Sequence, residues 1–182
     1  SLATTLDRLQ GDLHFGLDTE CNLDETRDWT RVIGTCFPRA LCDRVIVLDL
    51  TEMNCYNAAN FPTNLKQLLE NPKLIPVAVN VSFDAPRLKT LGVTFKKMVE
   101  LMELGKQLEP KHRQGYGMQK MCHRLLGLYV DKFGQNADWK QMKDNEELKQ
   151  YADLDPYLHL FLYEKLTERI AEGRKNGTLP MD

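Results

Sequence analysis

The first half of the chain alternates apolar and polar residues, or runs them in short β-branched stretches. LHFGLDTE (13–20), RVIGTCF (31–37) and RVIVLDL (44–50) read as three strands. The links between them are short, which favours antiparallel neighbours. TNLKQLLE (63–70) fits a short helix closed by Asn71-Pro72. LIPVAVNVSF (74–83) reads as a fourth strand, with Val77, Val79, Val81 and Phe83 on one face and Ala78, Asn80 and Ser82 on the other. The period then becomes helical. A small helix follows Asp84 and stops near Gly92, and another covers about 97–108. GMQKMCHRLLG (117–127) puts Met118, Met121, Cys122, Leu125 and Leu126 on one stripe, with Gly127 at its end. A last helix runs from about Asn145 to Ala171, with Leu158, Leu162, Leu166 and Ile170 on one face. This order predicts an α/β sandwich: a mixed sheet whose first three strands are antiparallel, flanked by helices. There is no internal repeat. The chain reads as a single domain over 1–182, with a core over about 12–172 and a frayed tail or linker at 173–182.

Composition narrows the function classes. The length of 182 residues suits one domain, and 42% hydrophobic with 27% charged residues excludes disorder and fibre. A net charge of −2 excludes a general polycation. No apolar run approaches the roughly 18–20 residues of a membrane helix. SLATTLDRLQGDL lacks the basic and apolar regions of a signal peptide, so the reading is an intracellular chain, in nucleus or cytoplasm. Cys21, Cys36, Cys42, Cys55 and Cys122 are odd in number and have no metal-site spacing, which points to reduced thiols rather than zinc or disulfides. His112 and His123 have no ligand partner at useful spacing and read as surface or amphipathic positions.

Charge is uneven. Residues 11–30 carry Asp12, Asp18, Glu20, Asp24, Glu25 and Asp28 against Arg27. Residues 106–132 carry Lys106, Lys111, Arg113, Lys120, Arg124 and Lys132 against Glu109 and Asp131. Either both are solvated faces, or one holds cations beside a surface that meets phosphates.

Three placements of carboxylates bear on that choice. Asp18 and Glu20 close the first strand and project from one face beside the small Gly16. Like charges that close stay ionised only in open water or with a cation between them, and a hard divalent cation suits oxygen ligands. Asp84 stands at a strand–helix junction, where it is an N-cap, a metal ligand, or both. Tyr151 and Asp155 are four apart on the last helix and share a face. There they are a packed phenol and a solvated acid, or a water-orienting phenol and a further ligand.

The order of these motifs resembles a known family. GLDTE (16–20), VAVNVSFDAPRLKTLGV (77–93) and YADLDPYLHLFLYEKL (151–166) resemble the three motifs of the DEDDy 3′–5′ exonucleases of the ribonuclease-H-like superfamily, near RNase D and Werner-type domains. GYGMQKMCHRLLGLYVDK (115–132) and Ala137-Asp138-Trp139 resemble the segments before the third motif, so the likeness spans roughly 12–170. It implies a ribonuclease-H-like three-layer α/β fold and a two-metal phosphodiesterase using Mg²⁺ or Mn²⁺. Asp18 would bridge two ions, Glu20 and Asp155 would complete the first ion's shell, Asp84 would hold the second, and Tyr151 would position the attacking water. Two cations about 3.5–4 Å apart stabilise both oxygens of an in-line displacement. The strand would be shortened from its 3′ end with release of mononucleotides. The chain departs from the family pattern at Cys21, at CFPRALCDRV and at Pro156, which follows Asp155 where alanine is usual. A proline there predicts a helix that kinks or restarts, with Asp155 capping the second part.

The expected partner is a single-stranded nucleic acid or 3′ end, RNA or DNA, with no membrane, and the short chain reads as part of a larger protein or complex. Lys111, Arg113, Lys120, Arg124 and Lys132, interleaved with Tyr116, Tyr129, Phe133 and Trp139, form the candidate strand-guiding surface. Two other readings stay open: an exonuclease-like scaffold with weak or no catalysis, which Pro156 favours, and a metal phosphatase acting on mononucleotides.

Overall fold

The structure, a computed structural model, describes residues 2–22 and 30–181. Asp24, Glu25, Arg27 and Asp28 of the acidic run lie outside the described residues.

The first three strands form as the alternation predicts. β1 (Leu13–Cys21) pairs antiparallel with β2 (Thr30–Cys36), which pairs antiparallel with β3 (Val45–Asp49). β4 (Leu74–Ala78) and the two-residue β5 (Val99–Glu100) add on the other side of β1 in parallel, giving a mixed sheet of order β3-β2-β1-β4-β5. The helices are α1 (Leu2–Arg8), α2 (Thr63–Leu69), α3 (Val81–Thr90), α4 (Leu101–Leu108), α5 (Met118–Met121) and α6 (Glu146–Lys175). α5 runs into a π-helical turn (Cys122–Leu126) that ends on the left-handed Gly127, and two 3₁₀ segments (Phe133–Asn136 and Trp139–Asp144) precede α6.

Alternation along the strands sorts the core into two layers. Phe15, Leu17 and Ile33 point to one face, where they pack with Leu6 of α1, Leu69 of α2 and Leu88 of α3. Val77 points to the other and packs with Leu101, Met121, Leu125, Leu158 and Leu162. Beside these, Val32 joins Trp139, Met142, Leu148, Tyr151 and Ala152. The helices therefore cover both faces of the sheet, and α6 lies across the face that carries Gly16, Asp18 and Glu20.

Four local readings need correction. The fourth strand ends at Ala78, not residue 83, and Val81 and Phe83 belong to α3. The carboxylate of Glu100 accepts from the amides of Asn80 and Val81, each at 2.8 Å, and from that of Met102 at 3.0 Å. One side chain thus satisfies the open N-termini of α3 and α4, and Asn80, at φ +66°, turns the chain into α3 early. Asp84 is consequently inside α3 rather than its cap. The segment 97–108 divides into β5 and α4, and 117–127 into α5 and the π turn. α6 persists to Lys175, four residues past Ala171, and the Thr178 and Leu179 amides fold back onto the Gly173 carbonyl.

The fourth correction concerns Pro156. α6 runs unbroken through it, and Asp155 is interior rather than a cap. A Cβ on Gly34 would stand 2.9 Å from the Pro156 ring and 3.1 Å from the Ala152 carbonyl oxygen, the acceptor that a proline at 156 leaves without its helical donor. A Cβ on Gly16 would stand 1.8 Å from the Pro156 carbonyl oxygen. Two glycines facing α6 from β1 and β2 admit the irregular turn, and the sheet holds it in line.

Candidate active site

β1 and β4 run together only as far as Gly16 and Val77. Beyond that point β4 turns off into α3, and the β1 edge lies open at the carboxyl ends of two parallel strands, where open α/β sheets place their ligand crevices. A cleft of about 540 Å³ forms there. Asp18, Glu20, Asp84, Tyr151 and Asp155 all line it.

Three of the carboxylates converge. Asp18 and Glu20 come from one face of β1 and Asp155 from α6, and each offers an oxygen within 4.8 Å of the others. Glu20 and Asp155 are buried and Asp18 is half-buried. Asp84 stands apart from this trio. Its Oδ1 accepts from the Thr19 amide at 3.0 Å and the Thr19 hydroxyl at 2.6 Å, which satisfies the β1 edge that β4 abandons.

Burial dominates the electrostatics. It pushes Glu20 up to about 8 and Asp84 up to about 6. Burial first, then the charges of Glu20, Asp84 and Asp155, holds Asp18 well above the usual carboxylate range. Two cations moderate this charge. Arg87 of α3 lowers both Glu20 and Asp84 and donates through Nη1 to the Thr19 carbonyl at 2.8 Å. Lys132 pairs with Asp155 Oδ2 at 2.5 Å. Asp155 Oδ1 is buried with no hydrogen-bond partner among the described residues. Three converging carboxylates, one with an unsatisfied buried oxygen, fit a hard divalent cation.

Tyr151 is placed by packing. Its ring meets Trp139 at 5.9 Å and the edge of Phe133 at 5.1 Å between centroids. A Cβ on Gly134 would come within 2.7 Å of that ring, so the glycine makes its seat. Burial, reinforced by Asp155, Glu20 and Asp18, raises the phenol well above its ordinary value. As a neutral phenol it can donate a hydrogen bond.

The sequence profile of the 3′-5′ exonucleases matches residues 1–171. The chain belongs to the 3′–5′ exonuclease family. The mouse (Mus musculus) bifunctional 3′-5′ exonuclease/ATP-dependent helicase WRN is 29% identical over 130 residues, covering 67% of this chain and 9% of that protein. The chain thus spans about a tenth of that relative's length. Three solved structures share the fold over 94% of this chain. They are the Aedes aegypti Nibbler EXO domain (TM-score 0.72, 16% identity, 85% of that chain), Brucella melitensis NrnC bound to pGG (0.69, 22%, 80%) and Escherichia coli RNase D (0.68, 18%, 43%). The three-layer, ribonuclease-H-like α/β architecture is therefore that of this family. The family generally uses divalent metals. Among the described residues, no helix is long and apolar enough to cross a membrane.

The basic and aromatic candidates scatter. Lys132, Lys120 and Tyr116 line the cleft. Arg124 is instead bound to Glu109 at 3.0 Å and to the Gly115 carbonyl. The Tyr116 hydroxyl donates to the Glu109 carbonyl and accepts from the His112 amide, so its polar end ties a loop together. Lys111 and Arg113 are exposed and do not line the cleft. Trp139 is fully buried and offers no stacking face. Sequence reasoning missed Arg87, Glu100 and His159. The buried His159, one turn beyond Asp155, donates through Nδ1 to the Leu17 carbonyl at 2.6 Å and so ties α6 to β1 next to Asp18. Its i+4 spacing from Asp155 was the available signal.

The raised carboxylates give a pH signature. A carboxyl whose folded value lies above its unfolded value stabilises fully below the unfolded value and loses that contribution as pH rises through the folded one. Glu20 (4.5 to about 8) and Asp84 (3.8 to about 6) set the window. In EDTA the melting temperature is expected to fall between about pH 5 and 8.5. Saturating Mg²⁺ or Mn²⁺ is expected to remove most of that fall. Thermal unfolding across this range checks it, and parallel curves with and without metal would contradict it.

Proposed function

We propose that this domain is a metal-dependent 3′–5′ exonuclease acting by a two-metal-ion mechanism and releasing mononucleotides from a single-stranded nucleic acid. The observation that carries the reading is the convergence of Asp18, Glu20 and Asp155, with Asp155 Oδ1 buried and unsatisfied. Asp18, Glu20 and Asp155 would hold one divalent ion. Asp18 and Asp84 would hold a second. Bound there, Mg²⁺ or Mn²⁺ supplies charge stabilisation for the reacting phosphate and a more acidic water.

The chain's own residues do the rest. The neutral Tyr151 hydroxyl orients the attacking water. In the hydrolysis a P–O bond to that water forms and the bond to the 3′ oxygen of the penultimate nucleotide breaks. Lys132, which pairs with Asp155, lies in the cleft and would be available to a phosphate if Asp155 held a metal. RNase D is described as an exoribonuclease and NrnC is bound to pGG, which supports a nucleic-acid strand as the substrate class. Pro156, which favoured a scaffold, sits in an unbroken helix.

The test is product analysis. Incubation of single-stranded oligonucleotides with Mg²⁺, Mn²⁺ or EDTA is expected to release mononucleotides only with metal. Mononucleotides offered as substrate are expected to keep their phosphate, and phosphate release from them would favour the phosphatase instead. Tyr151→Phe keeps the ring packing and loses the hydroxyl. It is expected to lower kcat by roughly 10²-fold, the low end for a water-handling group, and to leave KM and metal affinity near wild type.

A further inference from the structure

The cleft does not end at its carboxylates. Gln114, Gln119 and Lys120 on its rim also line a second hollow of about 460 Å³, which holds His123, Tyr129 and Val130. A strand whose 3′ end reaches the carboxylates has to leave over a rim, and this one leads to an exposed ring. Tyr129 is 88% exposed, an unusual place for an aromatic ring with no solvent-side partner among the described residues.

The backbone that carries the ring is held. Its loop starts at the left-handed Gly127 and is held by the Leu128 amide on the Cys122 carbonyl, and by Gln119 Nε2 on the Val130 carbonyl at 2.8 Å. His123 lies beside Tyr129 with ring centroids 4.6 Å apart and planes tilted by 44°. The tyrosine ring is left largely open, and the exposed Lys120 shares the hollow. A flat π-face beside a cation on a pre-organised loop is the chemistry that takes a nucleobase with its phosphate.

We propose that Tyr129, beside His123 and Lys120, is a stacking subsite for a base upstream of the 3′-terminal nucleotides. The subsite rests on the exonuclease reading for the position of the 3′ end. It makes recognition depend on strand length: a dinucleotide in the carboxylate cleft does not reach it, and a longer strand does.

The test is the affinity of the whole chain for 5′-fluorescein-labelled strands of two and eight nucleotides. The strands carry a 3′-terminal phosphorothioate linkage to slow cleavage, and anisotropy is read in Mg²⁺. Tyr129→Ala is expected to weaken the eight-nucleotide strand by roughly 5- to 100-fold, the fold-change that loss of one stacked base gives. The dinucleotide should stay within about twofold, and Tyr129→Phe should bind both like wild type. Equal weakening of both lengths, or of neither, would overturn the subsite. Placing 2-aminopurine at successive positions of the octamer should show one internal position quenched by wild type and released by Tyr129→Ala. The outcomes separate the two claims. Length-dependent binding through Tyr129 without strand shortening would uphold the subsite and sink the exonuclease reading. Shortening that is indifferent to Tyr129→Ala would do the reverse.

Discussion

Asp18→Asn is expected to abolish turnover, by roughly 10³-fold or more, while raising the melting temperature of the metal-free protein at alkaline pH. The two effects have one cause. Asp18 is the carboxylate that Glu20, Asp84 and Asp155 all press upon, and in the buried centre its charge is tolerable only with cations present. Asparagine keeps the shape and removes the charge, so the metal-free fold loses a repulsion. The same change removes the ligand proposed to join two ions, and several kcal/mol of charge stabilisation at the reacting phosphate corresponds to at least three decades of rate. Thermal unfolding in EDTA and in Mn²⁺ reads both. The variant should start higher than wild type and gain less from metal. A variant that unfolds earlier in EDTA at high pH would contradict the electrostatic account, whatever its activity.

Gly16→Ala is expected to damage fold and activity together. The added Cβ would sit 1.8 Å from the Pro156 carbonyl oxygen and 3.0 Å from the Leu160 amide nitrogen, all backbone, with no flexible side chain to move aside. α6 would have to lift off β1. Overpacking of this kind costs about 3 kcal/mol or more when backbone must shift. Lifting α6 also withdraws Tyr151 and Asp155 from Asp18, and a displacement near 1 Å is enough to lose about 10²-fold in rate. Gly11→Ala, with nothing within 4 Å of the added carbon, is the control and should match wild type. Denaturant unfolding and single-turnover rates check the pair. A Gly16→Ala protein as stable and active as the control would mean that α6 does not lie against β1 as described.

What the sequence made legible follows from locality. Asp18 with Glu20, and Tyr151 with Asp155, were paired by the two-residue period of a strand and the four-residue period of a helix turn, and each pair shares the cleft. The strands before residue 50 were visible because alternation is a local property. What failed was decided from a distance. The β-branched run 74–83 carries on past Ala78 as a pattern, but Glu100, twenty residues on, captures the amides of Asn80 and Val81 and makes a helix there. Pro156 breaks a local rule that glycines on β1 and β2 rescind. Arg124 and Trp139 carried the right chemistry for a strand but are spent on the Glu109 ion pair and on the core. Arg87 and His159 left little trace, because their partners are the backbone carbonyls of Thr19 and Leu17.

The most direct measurement is a gel time course on 5′-labelled single-stranded RNA and DNA of one sequence, with Mg²⁺, Mn²⁺ or EDTA, for wild type and Asp18→Asn. The account predicts a metal-dependent ladder that shortens one nucleotide at a time from the 3′ end and is absent in the variant, with the faster strand identifying the preferred sugar. Intact strands in every lane, from wild-type protein shown to be folded and to bind Mn²⁺, would contradict it.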